Sequence, residues 1–284
     1  MIAAGEGMQK QLLVNGVGIT NLTPITKMMA HLPLASLDRP PQKVLVICFG
    51  MGTSFRSAHS WGMDVTAVDL VPSVPKLFGF FHADGAEVLK SPRATVVIDD
   101  GRRFLERTRE LFDVIIVDPP PPVAAAGSSL LYSEEFYQVA ARRLRPGGIL
   151  QQWLPRAERI VVSAAAQSLG RTFLGRTFEE VRVFPSVEGE GWGEHFLASK
   201  GPINRRTAAE LSARVPPAAA RDMLEWGPAT TVEEQFQRML GGEIALRELI
   251  DSARSAPVLT DDRPVNEYYF VRHLLHGRQY FVMP

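Results

Sequence analysis

Residues 43–52 read KVLVICFGMG, an apolar run that ends in two glycines separated by one residue. A continuous run of Val, Leu and Ile is typical of a strand that is buried on both faces, as in a parallel sheet. Glycines directly after such a strand allow a tight turn into a helix and a close approach of the backbone to a ligand. The segment therefore predicts the first strand of an α/β domain, with a ligand-binding turn at Gly50 and Gly52.

Four further strand-like runs follow this segment. They are DVTAVDL (64–70), ATVVIDD (94–100), FDVIIVD (112–118) and GGILQQWL (147–154). Amphipathic stretches such as SEEFYQVAARRL (133–144) separate them, and this alternation predicts a doubly wound, mostly parallel sheet of the Rossmann type. Two more strands, 179–187 and 194–200, flank the glycine-rich segment GEGWG, and we expect them to form an antiparallel hairpin at the sheet edge.

Smaller elements are predicted at both ends of the chain. Residues 11–20 form a hairpin around the turn signal Asn15-Gly16, and residues 22–35 form an apolar helix. The pattern over residues 205–255 is helical. We therefore divide the chain into an N-terminal β-hairpin and helix segment (1–38), a Rossmann-like domain (39–201) and a helical C-terminal region (202–284).

The composition limits the partners and the location of the protein. The 31 basic and 31 acidic residues give a formal net charge of zero, so the overall charge does not favour nucleic acid or an anionic membrane as a partner. The single cysteine, Cys48, allows neither an intramolecular disulfide nor a Cys-based zinc site. No apolar run approaches the roughly 20 residues that span a bilayer, and no signal peptide is recognisable. We expect a soluble cytoplasmic protein without a bound metal.

Acidic residues end three of the predicted strands: Asp69 the second, Asp100 the third and Asp118 the fourth. Because the carboxyl ends of parallel strands meet at one edge of a sheet, we expect these carboxylates to share a site with Gly50 and Gly52. Asp69 follows Gly52 by 17 residues, near the spacing at which an acid accepts hydrogen bonds from ribose hydroxyls. Asp100 is a candidate partner for an adenine amino group, and Asp118 would face the reacting centre. The pattern predicts a nucleotide-type ligand.

NAD is the main competing ligand for such a turn. The loop CFGMGT departs from the dinucleotide motif G-x-G-x-x-G at its first and last glycines. An NAD site also has no need of the pair Asp100 and Asp118. Both observations argue against NAD.

Three aromatic residues are candidates for the substrate side of the site. Tyr132 directly precedes Ser133, the predicted N-cap of a helix, so its ring either leans over the site or packs in the interior. Trp153, in GGILQQWL, either walls the pocket or packs in the core. Trp192, in GEGWG, either contacts substrate or a dimer mate, or packs at the sheet edge. Cys48 has no histidine nearby in the sequence, and we expect a buried residue rather than a nucleophile.

Several motifs occur in the order and approximate spacing of the spermidine synthases, the polyamine aminopropyltransferases. They are MMAHLPL, VLVICFGMG, AVDL, VIDDGRRFL, FDVIIVD, SLLYSEEFY and LRPGGIL. The chain resembles this family over about residues 11–155. The resemblance implies a SAM-methyltransferase-like fold, decarboxylated S-adenosylmethionine as co-substrate, a small amine as acceptor and a homodimer. It makes Gly50 and Gly52 the cofactor loop, Asp69 the ribose-binding acid, Asp100 with Gly101 the adenine-contacting pair, and Asp118 the acceptor of a proton from the attacking amine.

The sequence departs from this family mainly on the polyamine side. The family's loop reads G-G-G-D-G, whereas Cys48 replaces its first glycine and Met51 its acid. Pro121 replaces the second acid of the family's diamine-binding D-x-x-D pair. Residues 21–27 (NLTPITK) lack the acids and the Tyr of the family's upstream segment, and Ile19 replaces a Gln. The adenosine half of the motif set is retained, and the polyamine half is largely lost.

Three hypotheses for the function follow. Because a dicationic diamine needs several carboxylates to offset its desolvation, we expect weak or absent spermidine synthesis from putrescine. The leading hypothesis is aminopropyl transfer from decarboxylated S-adenosylmethionine to another amine. The alternative is amine methylation by S-adenosylmethionine, since Asp118-Pro119-Pro120 resembles the D-P-P-aromatic motif of amino-group methyltransferases. The third is a domain that binds an adenosine ligand without turnover.

Overall fold

The structure is a computed structural model that describes residues 1–14, 17–119, 127–155, 157–170, 177–186, 192–253 and 255–264. Some predicted features lie outside the described residues. They are the turn at Asn15-Gly16, prolines 120–122, the first three residues of GEGWG and the tail from residue 265.

The N-terminal residues form a small antiparallel sheet followed by a helix. Strands β1 (Ile2–Ala4), β2 (Gln11–Val14) and β3 (Val17–Asn21) pair in that order, and helix α1 (Pro24–Ser36) follows. The predicted hairpin and helix are confirmed, whereas β1 was not predicted. Proline at the first position of α1 costs no hydrogen bond, because the N–H group there has no partner within the helix.

The central sheet is formed by the later strands. They are β4 (Lys43–Ile47), β5 (Asp64–Asp69), β6 (Ala94–Ile98), β7 (Phe112–Val117), β8 (Leu144–Pro155), β9 (Glu180–Pro185) and β10 (Gly193–Ser199). In the described part of the chain their order is β6-β5-β4-β7-β8-β10-β9. The five strands from β6 to β8 are parallel, and β10 is antiparallel to both of its neighbours. The predicted Rossmann-like sheet with a C-terminal antiparallel hairpin is confirmed.

Helices cover both faces of this sheet. They are α2 (Thr53–His59), α3 (Phe78–Phe81), α4 (Gly85–Lys90), α5 (Gly101–Arg107), α6 (Glu134–Arg143), α7 (Arg159–Gly170), α8 (Ala208–Ser212), α9 (Pro217–Leu224), α10 (Val232–Leu240) and α11 (Leu246–Asp251). Successive side chains of a strand point to opposite faces. Val44 and Val46 therefore join one hydrophobic core, with residues of α1 and α2, and Leu45 and Ile47 join the other, with residues of α5, α6 and α7.

The C-terminal region is helical, as predicted, in the residues that the structure describes. Leu211, Met223 and Phe236, from α8, α9 and α10, are buried in the same core as α1. Helix α1 itself packs into the core of the central sheet, and the division of the chain at residue 38 stays a prediction. None of the described helices has the length and apolar character that crossing a bilayer requires.

The strand order places a crevice at the carboxyl ends of the strands. From β4 the chain moves outward through β5 to β6, and it then returns to β7 on the other side of β4. The connections that follow β4 and β7 therefore diverge. Open α/β sheets bind their ligands at such a reversal of strand order.

Candidate functional site

A cavity of about 630 Å³ lies at this reversal of strand order. Its volume is in the range typical of small-molecule sites. The sequence-predicted residues in its lining are Gly50, Asp69, Asp100, Gly101, Asp118, Trp153 and Trp192. Gly52 and Tyr132 are not part of the described lining, although the sequence placed both in the site.

The loop after β4 turns sharply into α2. Gly52 has a φ of 81°, and its carbonyl accepts the first hydrogen bond of α2 from the Arg56 N–H at 2.8 Å. A Cβ atom on Gly52 would lie 2.3 Å from the Phe78 ring. The glycine is therefore required by backbone conformation and close packing, and its expected place in the cofactor loop stays a prediction. Gly50, with a φ of 55°, lines the cavity.

Cys48 occupies a left-handed backbone conformation with a φ of 71°. This region favours glycine, and the resemblance places a glycine there. Burial raises the pKa of the Cys48 thiol well above its usual value, and the charges of Asp69, Asp118 and Asp100 raise it further. The thiol therefore stays protonated at neutral pH, which does not suit a nucleophile.

Asp69 joins the loops that follow β4 and β5. Its Oδ2 accepts a hydrogen bond from the Phe49 N–H at 2.8 Å, and its Oδ1 accepts one from the Val71 N–H at 2.9 Å. Each carboxylate oxygen has a second lone pair. Because Asp69 also lines the cavity, it combines a fixed position with free acceptor capacity for ligand hydroxyls.

Asp100 and Gly101 begin α5 at the edge of the cavity. The Asp100 Oδ1 accepts a hydrogen bond from the Arg103 N–H at 2.8 Å and so caps the helix. A Cβ atom on Gly101 would lie 2.4 Å from the Ile47 side chain. The absence of a side chain at Gly101 thus lets α5 start directly beside β4.

Asp118 follows β7, and its N–H donates to the Ile47 carbonyl at 3.2 Å. Its side chain is partly buried and lines the cavity. Burial raises the pKa of Asp118 to about 7. A carboxylate with this pKa is suited to accept a proton near neutral pH.

Two of the three aromatic candidates, Tyr132 and Trp153, occupy different environments. Tyr132 is 1% exposed, and burial together with the charge of Asp118 raises the pKa of its hydroxyl well above the usual value. The Tyr132 ring is packed in the interior with its hydroxyl near Asp118, and its expected contact with substrate stays a prediction. The Trp153 ring lines the cavity, and its indole N–H donates to the Ser186 Oγ at 2.9 Å. Trp153 is therefore an oriented part of the wall.

Residues near the start of α1 line the cavity, although sequence reasoning singled out none of them. They include Thr23, Ile25 and Thr26. Leu130 and Leu131, in the turn before α6, also contribute to the wall. In the sequence, residues 21–27, at the start of α1, stood out only because they lack the acids and the Tyr of the related family.

The Met51 side chain packs against residues of the N-terminal segment and offers no charge to a ligand. Its side chain is 4% exposed and belongs to a hydrophobic cluster with Leu12, Leu22 and Phe81. The position at which the resemblance expects an acid thus packs the N-terminal sheet onto the central domain.

The charged groups of the cavity are mainly acidic. Among the described lining residues the charged side chains are Asp69, Asp100, Asp118 and Arg102. Arg102 donates to the Glu106 Oε1 at 3.2 Å and to the Asp261 Oδ1 at 2.7 Å. Since its guanidinium is already paired with carboxylates, this part of the cavity favours a cationic ligand.

A Rossmann-like sheet that presents a glycine turn and three carboxylates to one cavity defines a protein of the SAM-methyltransferase-like class. The chain belongs to the spermine/spermidine synthase domain family, whose model matches residues 23–204. The family is one of transferases.

Two kinds of curated relatives support this assignment. Polyamine aminopropyltransferase 2 of Hyperthermus butylicus is 29% identical over 278 residues, which cover 93% of this chain and 86% of the relative. Putrescine N-methyltransferase 2 of Nicotiana attenuata is 34% identical over 134 residues, which cover 45% of this chain and 34% of the relative.

Solved structures agree with the fold. Spermidine synthase from Thermotoga maritima aligns with a TM-score of 0.63 and 19% identity, covering 88% of this chain and 87% of that one. A spermidine synthase in complex with the transition-state analogue AdoDATO aligns with a TM-score of 0.65, also at 19% identity, covering 88% of each chain. At this identity the similarity supports the fold alone.

Proposed function

We propose that this protein transfers an aminopropyl group from decarboxylated S-adenosylmethionine to an amine. Asp69 would bind the ribose hydroxyls, Asp100 and Gly101 the adenine, and Gly50 the donor's tail. Asp118 would bind the amino group of the acceptor. The observation that carries the proposal is the charge of the cavity, in which the described lining offers three carboxylates and one guanidinium that is already paired.

This charge favours the decarboxylated donor. Decarboxylated S-adenosylmethionine carries a sulfonium and an ammonium, whereas S-adenosylmethionine carries a carboxylate as well. A buried carboxylate needs a cation or several hydrogen-bond donors to offset its desolvation. In the described lining the one cationic side chain, Arg102, is already bound to Glu106 and Asp261.

The reaction requires orientation and one proton acceptor. The ionised Asp118 carboxylate accepts a proton from the acceptor's ammonium, which frees the nitrogen lone pair. The nitrogen then attacks the aminopropyl carbon next to the sulfonium. A C–N bond forms, the C–S bond breaks, and its electron pair stays on sulfur, so that neutral methylthioadenosine leaves.

Amine methylation is the second candidate, because putrescine N-methyltransferases are among the relatives and Asp118 is followed by Pro119. The two reactions give different by-products. We expect methylthioadenosine from the decarboxylated donor with a panel of amines, and no S-adenosylhomocysteine from S-adenosylmethionine with the same amines, both measured by mass spectrometry. The opposite pattern would establish methyl transfer, and tight binding of either donor without product would establish a binding protein.

Substitution of Asp69 by Ala tests the nucleoside end of the site. The variant loses an acceptor for ribose and the anchor of the Phe49 and Val71 N–H groups. We expect the affinity for methylthioadenosine, measured by isothermal titration, to fall roughly ten- to a hundredfold. Asp64→Ala, at the exposed opposite end of β5, is the control and should leave the affinity unchanged. Equal affinities of the two variants would place the nucleoside elsewhere.

We also propose the homodimer that the family resemblance implies and the cytoplasmic location that the composition led us to expect. Sedimentation equilibrium of the purified protein tests the first, and fractionation of cells that express the full chain tests the second. A monomer at micromolar concentration, or recovery outside the cytoplasmic fraction, would contradict the respective proposal.

A further inference from the structure

The cavity has two chemically different sides. The carboxylates Asp69 and Asp100 follow β5 and β6, on one side of β4 in the sheet. On the other side, residues after β7, in β8 and directly before β10 form what we call the acceptor wall. Its members, together with one residue from the start of α1, are Ile25, Leu130, Leu131, Trp153 and Trp192. All five of these side chains are uncharged.

Among the described lining residues, the carboxylate on the same side of β4 as the acceptor wall is Asp118, which directly follows β7. Within the described lining, the other members on this side that carry polar groups are neutral, such as Thr23 and Thr26. Met51, at the position where the resemblance expects an acid, is 4% exposed and packed under the N-terminal sheet. One carboxylate can balance one ammonium group.

We propose that the acceptor is a primary monoamine with an apolar tail, and this inference rests on the aminopropyl transfer proposed above. The ammonium of the acceptor binds Asp118, and the tail contacts the acceptor wall. A second ammonium at the far end of the acceptor would lose its hydration beside Leu and Trp side chains, without a carboxylate from the described wall. An alkyl tail in the same place gains from each buried methylene.

The wall is suited to a flat or linear apolar group. The Trp153 ring is held by its hydrogen bond to Ser186, so its orientation is fixed before a ligand binds. Trp192 is 50% exposed, where it can cover the tail at the mouth of the cavity. An oriented ring loses little conformational freedom on binding.

The reaction with a monoamine is balanced. The acceptor R–NH₃⁺ gives one proton to Asp118, and its nitrogen takes the aminopropyl group from the sulfonium. The products are R–NH₂⁺–(CH₂)₃–NH₃⁺, methylthioadenosine and one proton, which Asp118 releases to water. No oxidant or metal is needed.

Amines of matched size test the inference. Hexylamine and 1,5-diaminopentane have the same number of heavy atoms and differ by a terminal methyl against an ammonium. With decarboxylated S-adenosylmethionine and release of methylthioadenosine as the readout, we expect kcat/KM for hexylamine to exceed that for 1,5-diaminopentane by about a hundredfold. Along the series from butylamine to hexylamine we expect an increase of roughly fourfold per methylene.

A new carboxylate in the wall should reverse the preference. Leu130 lines the cavity and is 38% exposed, so Leu130→Asp should fold and should raise the ratio of diamine to monoamine turnover at least about tenfold. Leu111→Asp is the matched control, because Leu111 is 40% exposed, precedes β7 and does not line the cavity. It should leave the ratio unchanged.

The possible failures are distinguishable. Equal or faster turnover of 1,5-diaminopentane by the unmodified protein would overturn the monoamine inference and leave aminopropyl transfer intact. An unchanged ratio in Leu130→Asp would overturn the place assigned to the tail. No release of methylthioadenosine with any amine would overturn the proposed function and the inference with it.

Discussion

Asp118→Asn should reduce kcat/KM by roughly 10²–10⁴-fold at pH 8, because an amide cannot take the proton of the acceptor. The unmodified protein should itself lose activity as the pH falls below about 7, where Asp118 becomes protonated. Steady-state rates between pH 5.5 and 9 measure both effects. Asp118→Asn should show a low activity that does not decrease further as the pH falls below about 7.

The same variant should be more stable than the unmodified protein at pH 8. The folded-state pKa of Asp118 is raised by burial from 3.8 to about 7, so the folded state binds more protons between these values. The contribution of Asp118 to stability therefore falls as the pH rises from about 4 to about 7. Asn removes this penalty, which corresponds to roughly 2–4 kcal/mol at pH 8, and it should have no effect at pH 4.

Asp113→Asn provides the contrast, because Asp113 lies on β7, the strand that Asp118 directly follows, and is fully buried. Its carboxylate accepts hydrogen bonds from the Gln42 and Lys43 N–H groups and pairs with Arg39. This variant should lower the melting temperature at pH 8, whereas Asp118→Asn should raise it. A lower melting temperature for Asp118→Asn at pH 8 would assign that residue a structural role instead.

The convergence of the site could be predicted because it depends on strand direction alone. Asp69, Asp100 and Asp118 each end a parallel strand, and parallel strands bring their carboxyl ends to one edge. The length of an apolar run and the residue types at its end can be read from neighbouring residues in the sequence. This information is sufficient to predict that the three carboxylates converge. The chemical roles of these three residues depend on a bound ligand, and they stay predictions until the titrations and rate measurements are made.

Features that depend on packing between distant segments could not be predicted. Strand β1 has three residues, too few for a recognisable period, and it exists because β2 offers it a partner. Tyr132 precedes a helix cap in the sequence, and its burial in the core with residues of α5, α6 and α7 depends on contacts that the sequence does not show. In the sequence, Lys27 stood out only as part of a segment that lacks the acids of the related family. Its hydrogen-bond partners, Asp222 and Glu225, lie 195 and 198 residues further along the chain.

A buried ionic cluster joins the C-terminal helices to α1 and α2, and Asp222 lies at its centre. The Asp222 Oδ2 lies 2.9 Å from the His31 Nε2 and accepts a hydrogen bond from the Ser57 Oγ at 2.6 Å. Its Oδ1 pairs with Arg56 at 2.5 Å and with Lys27 at 3.5 Å. Lys27 and His31 are fully buried.

Asp222→Ala should destabilise the protein by about 3–5 kcal/mol at pH 7, because it removes the buried carboxylate beside the fully buried Lys27, which then pairs only with the partly exposed Glu225 among the described residues. Burial would raise the pKa of Asp222, but His31, Lys27 and Ser57 outweigh it and hold this pKa well below its usual range. The contribution of Asp222 should therefore be present above about pH 4 and should be lost as the pH falls further. Urea unfolding at pH 7 and pH 3 measures this difference.

Glu225→Ala is the control for this cluster. The Glu225 side chain is 43% exposed and contacts the same two cations, Lys27 and Arg56, so its loss should cost at most about 1 kcal/mol. If Asp222→Ala costs no more than Glu225→Ala, the cluster does not hold the C-terminal helices to the core. If Asp222→Ala instead lowers the free energy of unfolding strongly and unfolding stays a single cooperative transition, α9 unfolds together with the central sheet. The charges on α1 and α2 then require a carboxylate that α9 supplies.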